Sequence, residues 1–302
     1  MPFRDIYRRQ AALLVRVLPH VARETAFALK GGTAINLFLR DMPRLSVDID
    51  LTYLPIQDRS TSLAAIEAGL RRIAAGLKKD IGGQINEALS EGRVTTLFVH
   101  ADRVQVKIEV TPVIRGCVFQ VQTRSVAPLV ENTFGFAEMQ LVSFPDLYAG
   151  KAVAGLDRQH PRDFFDWRDL LANEGINDEL RRAFLVYMLS HGRPMFEVLA
   201  PPRKDLTQIF AREFDGMTDK AVKLDELITV REELIAGIVG GMPPSHREFL
   251  LSFERGQPDW KLLGIANAAD LPAVKWRQLN LDKLTPEKRA KLVAELEKVL
   301  SK

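Results

Sequence analysis

The sequence predicts an α+β protein: a mixed or antiparallel sheet with flanking helices over residues 1–140, then a helical domain over 141–302. Three observations predict this. Apolar residues recur at period two between Val104 and Thr111, and at helical spacing between Ser62 and Lys79. From about Ser143 onward only helical spacing remains, punctuated by prolines. At 302 residues, folding buries roughly three quarters of the extended chain's surface, enough for two domains with cores of their own.

In chain order, the stretch Met1 to Glu24 interleaves Arg4, Asp5, Arg8, Arg9, Arg16 and Arg23 with its apolar residues, which breaks the uniform apolar run of a secretory signal. No window approaches the roughly 18 uncharged apolar residues of a membrane span, so a cytoplasmic protein with no membrane partner is expected. An apolar stretch ending at Leu29 meets Gly31-Gly32 and then a helix-like run. Ser46 to Thr52 alternates and predicts a strand. Ser62 to Lys79 predicts a helix stopped by Gly82-Gly83, with Arg71, Arg72, Lys78 and Lys79 as a solvated face. Thr95 to His100 and Val104 to Thr111 predict two strands joined by Ala101-Asp102-Arg103, and Val118 to Thr123 a third, in an antiparallel meander.

The helical region places Asp146 to Leu156, Arg162 to Ala172 and Asp178 to Leu189 as helices, with Pro243-Pro244 after Gly240-Gly241 as a linker. Thr285 caps a last helix that starts at Pro286 and buries Leu292, Leu296, Val299 and Leu300. Trp167, Trp260 and Trp276 are expected as core anchors, and Lys275, Arg277, Lys288, Arg289 and Lys291 as solvated faces. The single cysteine, Cys117, excludes an intrachain disulfide, and five scattered histidines make no zinc pattern. A net charge of +3 leans only mildly toward anionic partners.

The chemistry concentrates in Lys30-Gly31-Gly32-Thr33 and in Ser46-Val47-Asp48-Ile49-Asp50. A glycine pair before a helical run lets backbone N–H groups approach a phosphate with no Cβ in the way. A P-loop needs Lys after the glycines; Lys30 precedes them, so that reading fails. On a strand, Asp48 and Asp50 point to one face about 6.6 Å apart, two steps of ~3.3 Å. Two carboxylates so placed repel unless a cation lies between them, and a hard ion such as Mg²⁺ suits oxygen ligands and phosphates. Glu109, on a later alternating strand, can complete a triad. An Asp-x-Asp alone is usually a solvated edge; the glycine pair and third carboxylate turn it into the layout of a metal-dependent nucleotidyl transferase.

The run Gly31-Gly32-Thr33, Arg44-x-Ser46-x-Asp48-x-Asp50-Leu51, Lys107-x-Glu109-Val110, Lys151 and Arg162-Asp163-x-x-Asp166 resembles the AbiEii/AbiGii toxin family of the polymerase-β-like nucleotidyltransferase superfamily. The likeness spans about residues 25 to 170, and the tail from Arg247 to Leu281 also looks like that of many members. It implies a polymerase-β-like core and a helical domain completing the cleft. It further implies the toxin of a type IV toxin–antitoxin system, an NTP donor with Mg²⁺ or Mn²⁺, and in some members transfer to tRNA 3′ ends. A neighbouring antitoxin that forms no tight complex is implied as well. Gly31, Gly32, Thr33, Ser46 and Lys151 then meet the nucleotide, Thr33 through its hydroxyl, and Asp48, Asp50 and Glu109 the metal.

Lys151 lies in an apolar helical stretch, where an ammonium is costly unless it meets anions. Donor phosphate is the functional expectation and a snorkelling lysine the plain one. Asp166 is spaced to pair with Arg162 at i,i+4; the resemblance implies that Lys151 and Asp166 are catalytic, Asp166 as base or lysine partner. Arg158 and His160 face phosphate or solvent with equal reason. The alternatives are a protein or small-molecule acceptor, or an inactive nucleotide-binding module, which the crowded Asp48 and Asp50 charges oppose.

Overall fold

The computed structural model describes residues 4–301, so the first three residues of the amino-terminal stretch lie outside the described residues. The chain forms two compact units: unit 1 runs to Ser143 and regains Asp215–Val222, while unit 2 holds Phe144–Phe214 and the chain from Lys223 on.

Unit 1 comprises α1 (Asp5–Ala22), β1 (Phe27–Lys30), α2 (Gly31–Ala34) continuing as a π-helical turn over Ile35–Leu39, β2 (Asp48–Tyr53) and α3 (Arg59–Asp80). Then come β3 (Gln84–Ser90), β4 (Arg93–Ala101), β5 (Val104–Arg115), β6 (Gln122–Ser125), α4 (Pro128–Phe134) and β7 (Glu138–Leu141). The strands form one seven-stranded sheet in the order β3-β4-β5-β2-β1-β7-β6. The expected meander is only one side of it: β3, β4 and β5 are antiparallel neighbours, but β2 runs parallel to β5 and β1 parallel to β7.

Alternation decides which face is covered. Val106, Ile108 and Val110 of β5 are buried, in register with Ile49 and Leu51 of β2, and Leu51 pairs in turn with Leu29 of β1. The helices α1 and α3 pack on this apolar face and on each other, so truncating one such leucine to Ala costs about 2–5 kcal/mol. Asp58 starts α3 by accepting from the Thr61 N–H at 2.9 Å. The alternate residues, among them Asp48, Asp50, Lys107 and Glu109, fall on the opposite face.

Two sequence expectations are corrected by the structure, and one strand lies where none was expected. Val118 to Thr123 is not a strand of the meander; β6 begins at Gln122 and pairs with β7. The edge strand β3 escaped notice because none of its residues is buried, which leaves no apolar alternation to detect. The segment Asp215–Val222, placed by sequence in the helical region, belongs to unit 1: Met217 accepts from the Leu45 N–H at 2.8 Å, Arg44 bridges to Thr218, and the Arg4 N–H donates to Gly216 at 3.0 Å.

Unit 2 is helical: α5 (Phe144–Asp157), α6 (Pro161–Asn173), α7 (Asp178–Leu189), α8 (Met195–Leu199), α9 (Thr207–Glu213) and α10 (Leu224–Ile235), the last continuing as a π-helical turn over Ala236–Gly240. It closes with α11 (Pro244–Glu254), α12 (Trp260–Leu263), α13 (Pro272–Asp282) and α14 (Pro286–Leu300). α5 packs against α6 and α7, and α14 against α8 and α11. Thr285 caps α14 as expected, and Leu296 and Leu300 are buried. Pro243-Pro244 opens α11 inside unit 2 and links no domains. Trp167 is buried and Trp260 packs on Phe249 and Phe253, but Trp276 is 53% exposed, because Ala273, Val274, Arg277 and Leu281 form the inner face of α13. Among the described residues no helix is long and apolar enough to cross a membrane.

Candidate active site

The site in unit 1 begins where β1 runs out at Lys30 and the chain turns at Gly31 with φ +75°. A Cβ on Gly31 would lie 2.7 Å from Oδ2 of Asp50, and one on Gly32 would lie 2.6 Å from Nη2 of the buried Arg44 and 3.2 Å from Oγ of Ser46. The first glycine supplies the left-handed turn and both let it press against side chains of the next strand segment. Asn36 secures the turn by donating to the Gly32 carbonyl at 3.0 Å.

The Thr33 hydroxyl is bonded within the chain. It is buried and lies within hydrogen-bond distance of the Asp48 carbonyl and, at 2.8 Å, of Ser46 Oγ. A hydroxyl has one proton, so Thr33 donates to the Asp48 carbonyl and accepts from Ser46. Both hydroxyls thereby tie the glycine turn to the start of β2.

Across the sheet, strand register builds a charged face. Lys30 pairs with Asp50, Asp50 with Glu109, and Asp48 with Lys107. The triad predicted from alternation therefore lies on two neighbouring strands, β2 and β5, with Lys107 on β5 and Lys30 on β1 beside it. Lys107 Nζ lies 2.6 Å from Oε2 of Glu109, and Lys30 Nζ donates to Thr111 Oγ1 at 3.1 Å. Desolvation pulls the Lys30 pKa down against the opposing charges of Asp50 and Glu109. Desolvation also opposes the Lys107 ammonium, but the Glu109 hydrogen bond and the charges of Glu109, Asp48 and Asp50 outweigh it and raise its pKa. Among the described residues no three His, Cys, Asp or Glu side chains are arranged to hold a metal ion. The three carboxylates thus share one face of the sheet without forming a ready cage.

Unit 2 holds a second cluster. Lys151, 7% exposed, projects from α5 and lies 3.1 Å from Asp163 and 2.9 Å from Asp166 of α6, both buried. Arg158 adds two hydrogen bonds to Asp163, at 2.6 and 2.7 Å. Desolvation would lift the Asp163 pKa, but Lys151 and Arg158 overcome it and hold it well below the usual carboxylate range. Lys151 is not a snorkelling side chain. The expected Arg162 and Asp166 pairing gives way to Asp166 with Lys151, while Arg162 turns to Glu213 at 3.7 Å. His160 is buried and not solvated: Nδ1 accepts from the Arg162 N–H at 3.1 Å, capping α6, and Nε2 lies 3.1 Å from Glu213. Desolvation lowers its pKa.

Sequence reasoning missed Lys30 as a member of the site, having weighed it only against the P-loop pattern. It also missed Asp163 as the second partner of Lys151. The signal for Asp163 was present, since 163 and 166 share one face of a helix.

In unit 1 the glycine turn of a mixed sheet abuts an acid-bearing central strand. The chain belongs to the AbiEii family: the model described as nucleotidyl transferase AbiEii toxin, type IV TA system, matches residues 12–276. Among solved structures it resembles MenT4, a nucleotidyltransferase toxin from Mycobacterium tuberculosis H37Rv, with 15% identity over 96% of this chain and 94% of that one, at a TM-score of 0.57. That likeness is one of fold. A structure titled as a tRNA-processing enzyme complex aligns over 93% of this chain and 91% of its own at 12% identity, but a TM-score of 0.24 carries no argument. No curated protein matches.

Proposed function

We propose that this type IV toxin transfers a nucleoside monophosphate from an NTP to the 3′ end of tRNA, using Mg²⁺ or Mn²⁺ at Asp48 and Asp50. The observation that carries the reading is the row Asp50–Glu109, with Asp48 beside it, seated against a turn that only glycine fits. The donor set suits a hard divalent ion: Mg²⁺ is commonly held by one or two carboxylates plus substrate phosphates and not by an all-protein cage. Bound there, such an ion neutralises charge on the reacting phosphates.

The chain's own residues do the rest. Backbone N–H groups at Gly31, Gly32 and Thr33 receive donor phosphates, while the Thr33 and Ser46 hydroxyls keep that turn on β2. The acceptor hydroxyl attacks the α-phosphate in line, the bond to the leaving pyrophosphate breaks, and a carboxylate of the row takes the acceptor proton. Rate comes from positioning and charge neutralisation. The family resemblance also assigns Lys151 and Asp166 a catalytic role; Lys151 is a buried ammonium held between the carboxylates of Asp163 and Asp166.

The tRNA acceptor rests on the family resemblance, as does a neighbouring antitoxin that acts without a stable complex in the cytoplasm. Purified protein incubated with total RNA and each α-labelled NTP is expected to label tRNA only when the divalent ion is present. Label that appears on protein, or on RNA in EDTA, contradicts the reading. Expression alone is expected to arrest growth, with relief by the neighbouring gene's product and no co-purification.

A further inference from the structure

Lys107 and Glu109 are neighbours on one face of β5, Lys107 opposite Asp48 and Glu109 opposite Asp50. The Lys107 Nζ is bonded to Glu109 at 2.6 Å. Lys30 brings a second ammonium to the row of Asp50 and Glu109 and is anchored by Thr111. The face thus carries three carboxylates against two ammonium groups. Such a face attracts a bare divalent ion weakly, and the side chain that would complete a three-carboxylate cage is bonded elsewhere.

We propose that Lys107 is a positioning residue that withholds Glu109 from the metal, so that Asp48 and Asp50 retain a divalent ion only when the donor's phosphates complete its shell. The proposal rests on the reading of Asp48 and Asp50 given above. Its physical basis is coordination number and charge. Mg²⁺ and Mn²⁺ seek about six oxygens, two aspartates supply a minority, and the triphosphate supplies both oxygens and the negative charge that offsets Lys30 and Lys107. With Lys107 removed, Glu109 becomes free to join Asp48 and Asp50, and the protein should hold the ion without nucleotide.

The test measures Mn²⁺ binding to the full chain by electron paramagnetic resonance of the free ion, alone and with a non-hydrolysable NTP analogue. Wild type is expected to bind Mn²⁺ weakly alone and more tightly with the analogue. Lys107→Met should bind Mn²⁺ alone about tenfold more tightly or better, the scale on which partners of ligands tune metal affinity. Lys107→Gln provides a second neutral variant should the first fail to fold. Lys107→Arg should behave as wild type, and adding Glu109→Gln to Lys107→Met should erase the gain. Unchanged affinity in both neutral variants, or a gain that survives Glu109→Gln, overturns the proposal while leaving Asp48 and Asp50 in place. If wild type binds no Mn²⁺ even with the analogue, or Asp48→Ala binds as wild type does, the reading of the aspartates fails and the inference falls with it.

Discussion

Gly31 and Asp50 are fitted to each other: a Cβ on the glycine would stand 2.7 Å from Oδ2 of the aspartate, at a backbone φ of +75°. Any side chain at residue 31 must therefore displace an acid of the proposed metal site. Gly31→Ala combines that clash with left-handed strain of about 1–2 kcal/mol. It is expected to lower the melting temperature modestly and transfer by about a hundredfold, the scale of a 1 Å misplacement. Melting curves and labelled-NTP turnover on the same preparation check this; wild-type turnover in Gly31→Ala would show that the turn can give way without disturbing Asp50.

Thr33 tests the link between that turn and β2. Thr33→Val removes the buried hydroxyl that donates to the Asp48 carbonyl and accepts from Ser46. Leaving those partners unsatisfied costs about 1–3 kcal/mol, so the valine variant should unfold at lower denaturant concentration, and Thr33→Ser should sit near wild type. Loss in Thr33→Ser with none in Thr33→Val would place the importance of residue 33 in its methyl group.

Asp163 gives the second cluster a pH signature. Its pKa is depressed in the fold, so it contributes stability that is fully present above the ordinary carboxylate value of about 3.9 and is lost as pH falls through the lower folded value. Asp163→Asn breaks a buried pair and should cost about 3 kcal/mol near neutrality, with the gap to wild type closing as pH drops below about 4. Denaturant midpoints taken from pH 7 to pH 3 provide the check. A gap that stays constant would show that the Asp163 charge contributes nothing.

What was legible followed from periodicity. The alternation of Val47, Ile49 and Leu51 with Asp48 and Asp50 revealed both the strand and the shared carboxylate face, because a strand half covered by helices must alternate. Val104 to Val110 did the same for Glu109. Which charges become neighbours depends on register, and register is a long-range property: Lys30 meets Asp50 only because β1 pairs antiparallel with β2. The return of Asp215–Val222 to unit 1 depends on backbone bonds from Met217 and Gly216 to residues more than a hundred positions earlier, which no local pattern encodes. The misplacement of Trp276 shows the limit of residue type: an aromatic on a helix is buried only if it shares the inner stripe, and Val274 and Leu281 hold that stripe.

The central claim, that Asp48 and Asp50 beside the glycine turn perform nucleotide transfer, is tested most directly by the rate of label transfer from an α-labelled NTP to RNA. The measurement compares wild type with Asp48→Ala and Asp50→Ala, at matched melting temperature in EDTA. Wild type is expected to transfer label only with Mg²⁺ or Mn²⁺, and each variant to lose at least about a hundredfold in rate, as when a group stabilising transition-state charge is removed. Transfer by either variant at the wild-type rate would contradict the account.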